Sequence, residues 1–277
     1  MLTSTPRSDA TTDLQTTTSG RWTFRYAAAT DTGRRRDVNE DFFLLHPDRR
    51  LFVIADGMGG HAAGEVASRI TAETLAAYFE EAELPLHGDR SSDVDETMSH
   101  HLIQAVKIAN STVFDEAQDS VDRRGMGTTV VALSFSDERA HFAHVGDSRL
   151  YRLRDTHLEQ LTRDHSLLEQ TIGRQDITGE EAEQTRRNFP YKIVLTRAIG
   201  SRYVVDVDAD STPVEHGDLF VLTTDGVHDV ISDAAIADAL LASDENWHQA
   251  CRHIIAGANL AGGPDNITVV CVQVHRR

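Results

Sequence analysis

The sequence predicts an α+β fold in which helices are layered on antiparallel sheet, and three observations predict it. Three strand-like stretches precede any helical one, two long helical stretches then follow in succession, and from Gly127 the apolar period returns to that of strands. Alternating βα units around a parallel sheet would not group their elements this way.

Residues 1–20 are rich in Thr, Ser and Asp and poor in large apolar side chains. They cannot bury enough surface to offset the entropy of ordering, so a disordered tail is expected, with one domain over residues 21–277. Trp22, Phe24 and Tyr26 alternate as in a strand. A polar turn over residues 31–41 leads to a short strand, Phe42-Phe-Leu-Leu45, and Leu51 to Ala55 reads as a buried strand. Asp56 stands at its end, before Gly57, Gly59 and Gly60. Helical spacing over residues 62–83 (Val66, Ile70, Leu75, Tyr78, Phe79) and 93–120 (Val94, Met98, Leu102, Val106, Val113) predicts two helices. Residues 127–135, 140–145, 148–153 and 157–161 predict a four-stranded meander, with a turn at Gly146-Asp147. A helix is expected over 164–173. Residues 174–190 read as a charged flap with a short helix over 178–187, Thr178 as N-cap and Glu181 completing a capping box. Strands at 204–208 and 219–223, helices at 234–241 and 246–257 and a closing strand at 266–274 complete the chain.

Composition narrows the function. With 27 basic against 44 acidic residues the net charge is -17, which argues against nucleic acid or an anionic membrane as partner. The two cysteines, Cys251 and Cys271, have no CxxC partner, so a thiolate zinc site or disulfide framework is not expected. No apolar run approaches membrane-spanning length and no signal peptide is visible. The chain ends directly after its last strand; a cytoplasmic, untethered monomer is the expectation.

Acidic residues stand where strands meet turns: Glu40 and Asp41, Asp56, Asp147, Asp225 and Asp265. Asp56 and Asp225 share a local pattern, a buried apolar run followed by Asp-Gly. Carboxylates converging from strand ends repel one another in low dielectric, and bound divalent cations relieve that repulsion. Hard oxygen donors without Cys or HxxxH select Mg²⁺ or Mn²⁺. Two such ions can share a carboxylate and activate a bridging water as hydroxide for in-line attack on phosphorus. Arg36 offers a planar fork for phosphoryl oxygens.

Eight motifs in order carry a resemblance to a known family. They are Arg36-x-x-Asn39-Glu40-Asp41, Asp56-Gly-Met-Gly-Gly-His61, Gly127-Thr-Thr129, Gly146-Asp-Ser-Arg149, Thr162-Arg-Asp-His165, Leu195-Thr-Arg-Ala-Ile-Gly200, Thr224-Asp-Gly226 with Asp229, and Gly263-Pro-Asp-Asn266. Over residues 22–275 the chain resembles the metal-dependent serine/threonine protein phosphatases of type 2C, in their bacterial branch. The resemblance implies a four-layer α-β-β-α sandwich, two antiparallel sheets flanked by helix pairs, for the catalytic domain of residues 21–277. It implies hydrolysis of phosphoserine and phosphothreonine on proteins with two, or three, Mn²⁺ or Mg²⁺ ions. The partners it implies are phosphorylated proteins, targets of a cognate serine/threonine kinase, and that kinase itself. Asp56 resembles the carboxylate bridging two metals, with the Gly57 carbonyl on one. Asp225 and Asp265 resemble ligands of the first metal. Glu40 resembles an acidic ligand near the second, supported by Asp41, and Asp147, helped by Asp225, a ligand of the third, weaker metal. Arg36 resembles the phosphate-binding arginine, Asp229 and Asn266 resemble residues that orient metal-bound water, and Thr128 resembles a supporting hydroxyl behind the centre.

The chain departs from the pattern in two places. Met58 stands where animal members carry a histidine discussed as general acid, so the proton donor is either His61 or a metal-bound water. The flap carries Asn188-Phe-Pro-Tyr-Lys192 as an additional segment, read as packing or as substrate contact. Two motif matches are set aside. Residues 57–62 fit a dinucleotide fingerprint, but no βαβ unit surrounds them. Cys271-x5-Arg277 has the spacing of a cysteine-phosphatase loop, but its cysteine lies inside a strand. The remaining alternative is a non-catalytic binding module of the same fold, which loss of a metal carboxylate would mark.

Overall fold

A computed structural model describes residues 9–59, 63–84, 92–175, 177–179, 181, 184–185, 189–190 and 194–277. Alternation at period two builds the sheets. One sheet contains β1 (Ala10–Thr11), β2 (Gln15–Ser19), β3 (Trp22–Asp31), β9 (Arg149–Arg154), β10 (His157–Gln160), β12 (Leu219–Thr223) and β13 (Ile267–Arg276), in the order β1-β3-β13-β12-β9-β10 with β2 also on β3. The other contains β4 (Asp41–His46), β5 (Leu51–Met58), β6 (Gly127–Thr128), β7 (Val130–Phe135), β8 (Arg139–Val145) and β11 (Asp208–Pro213), in the order β11-β8-β7-β5-β4 with β6 on β5. Every pairing in both sheets is antiparallel.

Three apolar layers hold four structural ones. Phe24, Tyr26, Phe52, Ile54, Phe135, Phe220 and Val272 meet between the sheets, and the rings of Phe24 and Phe135 lie 5.1 Å apart. The opposite faces of the same strands are covered from outside. Leu51 and Val53 pack under α1 (Ala63–Glu81) and α2 (Ser92–Asp119). Ala27, Ala29, Val221 and Cys271 pack under α5 (Asp233–Leu241) and α6 (Trp247–Leu260). The sandwich implied by the resemblance is the one observed. Shorter helices are α3 (Leu167–Arg174), capped by Ser166 accepting from Glu169 N–H, and α4 (Asp225–His228). Among the described residues, no helix is long and apolar enough to cross a membrane.

Several expectations are corrected. The leader is not disordered throughout: Gln15–Ser19 pairs along β3 from Tyr26 to Trp22, and Thr17 Oγ1 lies 3.2 Å from Tyr26 Oη. Its β-branched threonines suit a pleated edge, and the ladder supplies the bonds that their polarity did not reveal. Residues 1–8 lie outside the described set. The four-stranded meander is divided between sheets, because the chain crosses from β8 to β9 through Gly146–Ser148. The strand expected at 204–208 begins instead at Asp208, as a polar edge strand paired with β8. Of the helix expected over 178–187, half of the residues lie outside the described set, and Gly179, Glu181, Gln184 and Thr185 are helical.

The topology brings one set of strand ends together. Asp31 at the end of β3 faces Ile267 at the start of β13, Thr223 at the end of β12 faces both Val269 and Arg149, and Asp41 faces Asp56 directly. The ends of β3, β5, β8 and β12 and the starts of β4, β9 and β13 therefore share one rim of the sandwich, contributed by both sheets.

Candidate metal centre

That rim carries the acidic residues. Asp41 is buried, while Glu40, Asp56, Asp147, Asp225 and Asp265 are half-buried, desolvated by the fold on one side and open on the other. Burial raises Asp41 to about 7, with Asp225 and Asp265 adding to the effect. Burial likewise raises Asp225 to about 7, helped by Asp265 and Asp229, and Asp147 to about 8, helped by Asp225, Asp164 and Asp229. Asp56 is pushed well above its ordinary value by burial and then by Asp225, Asp41, Asp147 and Asp265. Asp225 acts on Asp41, Asp56 and Asp147, and Asp265 on Glu40, Asp41, Asp56 and Asp225, so the strand-end acids are linked electrostatically.

Backbone and hydroxyl contacts set the unit in place. Thr128 Oγ1 donates to the Asp56 carbonyl (2.8 Å), and Asp56 N–H donates to Thr129 Oγ1 (3.0 Å), which meets Ser148 Oγ at 2.7 Å. Asp41 Oδ2 accepts from Thr224 Oγ1 (2.8 Å) and Thr268 Oγ1 (2.7 Å). Thr268 in turn meets Thr30, which accepts from Asn39 Nδ2 (2.8 Å). Glu40 Oε1 accepts from Gly64 N–H in the first turn of α1 (3.1 Å), where the helix amides favour an anion. The approach there is close: a Cβ on Gly57 would meet the Gly64 carbonyl oxygen at 2.2 Å. The turn bearing Asp147 is equally tight, since Gly146 sits at φ +109° with a Cβ position 2.6 Å from Thr129 Cβ.

Arg36 stands at the open side, its Nη2 2.6 Å from Asp265 Oδ2. Burial lowers its pKa, but Asp265, Glu40 and Asp225 outweigh that and raise it. Asp229 is exposed, beside Asp147 and Asp225, with its N–H on the Asp225 carbonyl. Asn266 has a different setting from the water-orienting one expected. Its Oδ1 accepts from Glu40 N–H (2.8 Å), and its Nδ2 donates to the carbonyls of Thr32 and Val38 (2.9 Å each). It ties down the loop carrying Arg36 and Glu40. Met58 lies in β5 opposite Gly127. His61, Asn188, Tyr191 and Lys192 lie outside the described residues.

The residues fit divalent cations. The donor set is all oxygen, and Asp41 Oδ1 and Asp225 Oδ1 are buried side-chain atoms without a hydrogen-bond partner. Sequence reasoning placed Asn39, Thr129 and Ser148 in motifs without giving them a role, and missed the supporting Thr30 and Thr268 and also His228. The imidazole of His228 lies 3.0 Å from Thr223 Oγ1 and bonds the Asp147 backbone. The available signal was a threonine or asparagine beside Glu40, Asp225 and Asp265, a pattern that turn preference alone also produces.

A sandwich of this layering, with carboxylates from both sheets meeting at one rim, has the fold of the metal-dependent protein phosphatases. It is similar to the crystal structure of the Mycobacterium tuberculosis serine/threonine phosphatase PstP/Ppp, with a TM-score of 0.79 and 35% identity over 91% of this chain and 99% of that one. A second structure of the PstP catalytic domain, in complex with two manganese ions, gives 0.76 and 34% identity over 92% and 99%. The chain belongs to the protein phosphatase 2C family, whose model matches residues 31–260. Among curated relatives, protein phosphatase PhpP of Streptococcus pneumoniae is 34% identical over 89% of this chain and 96% of its own length. Serine/threonine protein phosphatase PstP of Mycobacterium tuberculosis is 35% identical over 90% of this chain and 45% of its own length.

Proposed function

We propose that the chain removes phosphate from phosphothreonine and phosphoserine in proteins at this carboxylate rim. The observation that carries the reading is that burial raises Asp41, Asp56, Asp147 and Asp225 and that Asp225 and Asp265 raise their neighbours further, a cost that the fold bears and that a bound cation would relieve. Asp56, Asp225 and Asp265 would hold one ion, Asp56 with Glu40 a second, and Asp147 with Asp225 a third. The manganese-bound PstP domain supports Mn²⁺ as a cofactor of this site, with Mg²⁺ chemically equivalent in its oxygen preference. When bound, such ions neutralise phosphoryl charge and make water a nucleophile at neutral pH.

The chain's own residues supply the rest. Arg36 can turn from Asp265 to the phosphoryl oxygens, since its guanidinium is half exposed at the open side. Asp229, exposed beside Asp147 and Asp225, can orient water or accept a proton. Asn266 fixes the loop that carries Arg36 and Glu40. The physiological substrates on this reading are products of a serine/threonine kinase, because such an enzyme makes these esters on proteins, and the kinase's own phosphorylated sites belong to the class.

A peptide panel tests the reading. Phosphothreonine and phosphoserine peptides should be hydrolysed with Mn²⁺, phosphotyrosine far more slowly, and Asp225→Ala should abolish turnover. Wild-type turnover by Asp225→Ala would remove that residue from the centre.

A further inference from the structure

His165 belongs to a motif that the carboxylate centre does not use. It lies between β10 and α3, between the Asp147 turn and a cavity of about 480 Å³ lined by Arg163, Ser166, Arg174, Arg197, Arg202 and Asp208 among others. Its backbone N–H donates to the Gly146 carbonyl (2.9 Å), and its Nδ1 accepts from Gly146 N–H (3.2 Å). One residue thus engages both polar groups of the glycine preceding Asp147. With Nδ1 accepting, the proton of the neutral ring sits on Nε2, 3.2 Å from both Asp208 Oδ2 and Arg197 Nη1, of which only the carboxylate can accept it. Arg197 fixes Asp208 in turn, Nη1 to Oδ1 at 2.5 Å.

His144, His165 and Asp208 also bring ligating atoms within 4.8 Å of one another. Their geometry argues against a metal. The two imidazoles are stacked, 4.6 Å apart and 23° from parallel, so their in-plane lone pairs run side by side instead of converging. His144 Nε2 is committed to the Arg163 carbonyl (2.9 Å), His165 Nδ1 to Gly146, and Arg197 already places a cation on Asp208. The cluster is a mechanical link with one end on the Asp147 turn.

We infer that His165 is the positioning residue of the Asp147 arm of the centre, its Nδ1 setting how well Asp147 holds a cation and Asp208 with Arg197 setting the orientation of the ring. The inference rests on the proposed function, since it concerns the same centre. The physical basis is that an outer hydrogen bond fixes a ligand's direction, and losing one weakens a metal site about tenfold or more. Gly146 has no side chain with which to lock itself, so its two backbone contacts to His165 carry the turn, while His228 holds the Asp147 backbone.

Two near-isosteric substitutions separate the ends of the ring. Asparagine places an acceptor oxygen where Nδ1 stood, whereas glutamine carries its amide out toward the Nε2 position and leaves no acceptor at the Nδ1 position. Mn²⁺ binding to the full chain, followed by electron paramagnetic resonance, should show His165→Gln weakening the loosest class of sites about tenfold, with the tightest class unchanged. His165→Asn should stay within about threefold of wild type. Asp208→Ala, at a half-exposed position, should weaken the same loose class and carries the test if a histidine variant does not fold. A wild-type isotherm for His165→Gln, equal damage from His165→Asn, or equal weakening of the tight class would each overturn the inference. Hydrolysis of a phosphothreonine peptide by the wild type separates the two failures. An active wild type with an unchanged His165→Gln isotherm removes only the role of His165, whereas a wild type that neither binds Mn²⁺ nor hydrolyses removes the phosphatase reading itself.

Discussion

Asp41 keeps one carboxylate oxygen on two threonine hydroxyls and leaves the other, buried, with no hydrogen-bond partner. A buried anion left half satisfied costs stability, so the arrangement makes sense as a support that completes itself when cations arrive. Arg36 is the counterpart at the open side. It rests on Asp265, and on the proposed reading the substrate's phosphate replaces that carboxylate as its partner. Arg36→Ala should therefore raise KM for a phosphothreonine peptide about tenfold, as loss of a charge-assisted contact made in ground and transition states alike. A lowered kcat at unchanged KM would assign the arginine to the transition state alone. At this scale the acids were legible, because each follows or precedes a buried apolar run. The threonines behind them were not, because Thr30 and Thr268 look like ordinary strand residues until β3 and β13 are paired.

Elements place these residues through short-range necessity. α1 reaches the centre because its buried face is made of Ala63, Gly64, Ala67, Ser68 and Thr71, small enough for the helix to approach β5, while Val66 and Ile70, the more obvious apolar positions, are only partly buried. The periodicity of large residues identified the helix but not the face nearest the site. The loop from Thr32 to Glu40 has no regular structure and depends on Asn266. Asn266→Ala removes three hydrogen bonds to that loop, those to the Thr32 and Val38 carbonyls and to the Glu40 amide, so a loss of about 2–3 kcal/mol is expected in urea unfolding, together with weaker phosphopeptide binding. Full stability with reduced turnover would instead point to the water-orienting role. The β8–β9 connection shows the limit of local reading. Gly146-Asp147 between two alternating runs has the signature of a hairpin, yet the chain uses it to change sheets, and only the global pairing decides that. β11 was misplaced for a related reason: Asp208–Pro213 is polar because it is an edge, and its ladder with β8 supplies what hydrophobicity does not.

At the scale of the whole molecule, the fold trades stability for a charged rim. Asp41 and Asp225, raised to about 7, and Asp147, raised to about 8, all stand above the unfolded value of about 3.9. Between those limits the folded chain keeps protons that the unfolded chain releases, so stability falls as pH rises through the window. Histidines work in the opposite sense lower down. Burial holds His141 and His165 at about 4, so the unfolded chain gains protons below about pH 6.5 and stability falls as pH falls there. Above about pH 6.5 those histidines are neutral in both states, which leaves the carboxylates in control. The melting temperature of the metal-free protein should therefore decline from about pH 6.5 to 8, and saturating Mn²⁺ should remove most of that decline. A flat or rising profile in EDTA would mean that the carboxylates do not confront one another as described. The layers themselves were legible, since strand, helix-pair and strand blocks follow in an order that only helices on antiparallel sheet accommodate. The assignment of strands to sheets was not, because both inner faces draw on the same Phe, Val and Leu residues.

The most direct test of the central claim is phosphate release from a phosphothreonine peptide while EDTA removes metal from the purified chain and Mn²⁺ restores it. The carboxylate rim predicts turnover that falls to background in EDTA and returns with added Mn²⁺. Turnover that survives complete metal removal, or none at all in protein shown to bind Mn²⁺, would contradict it.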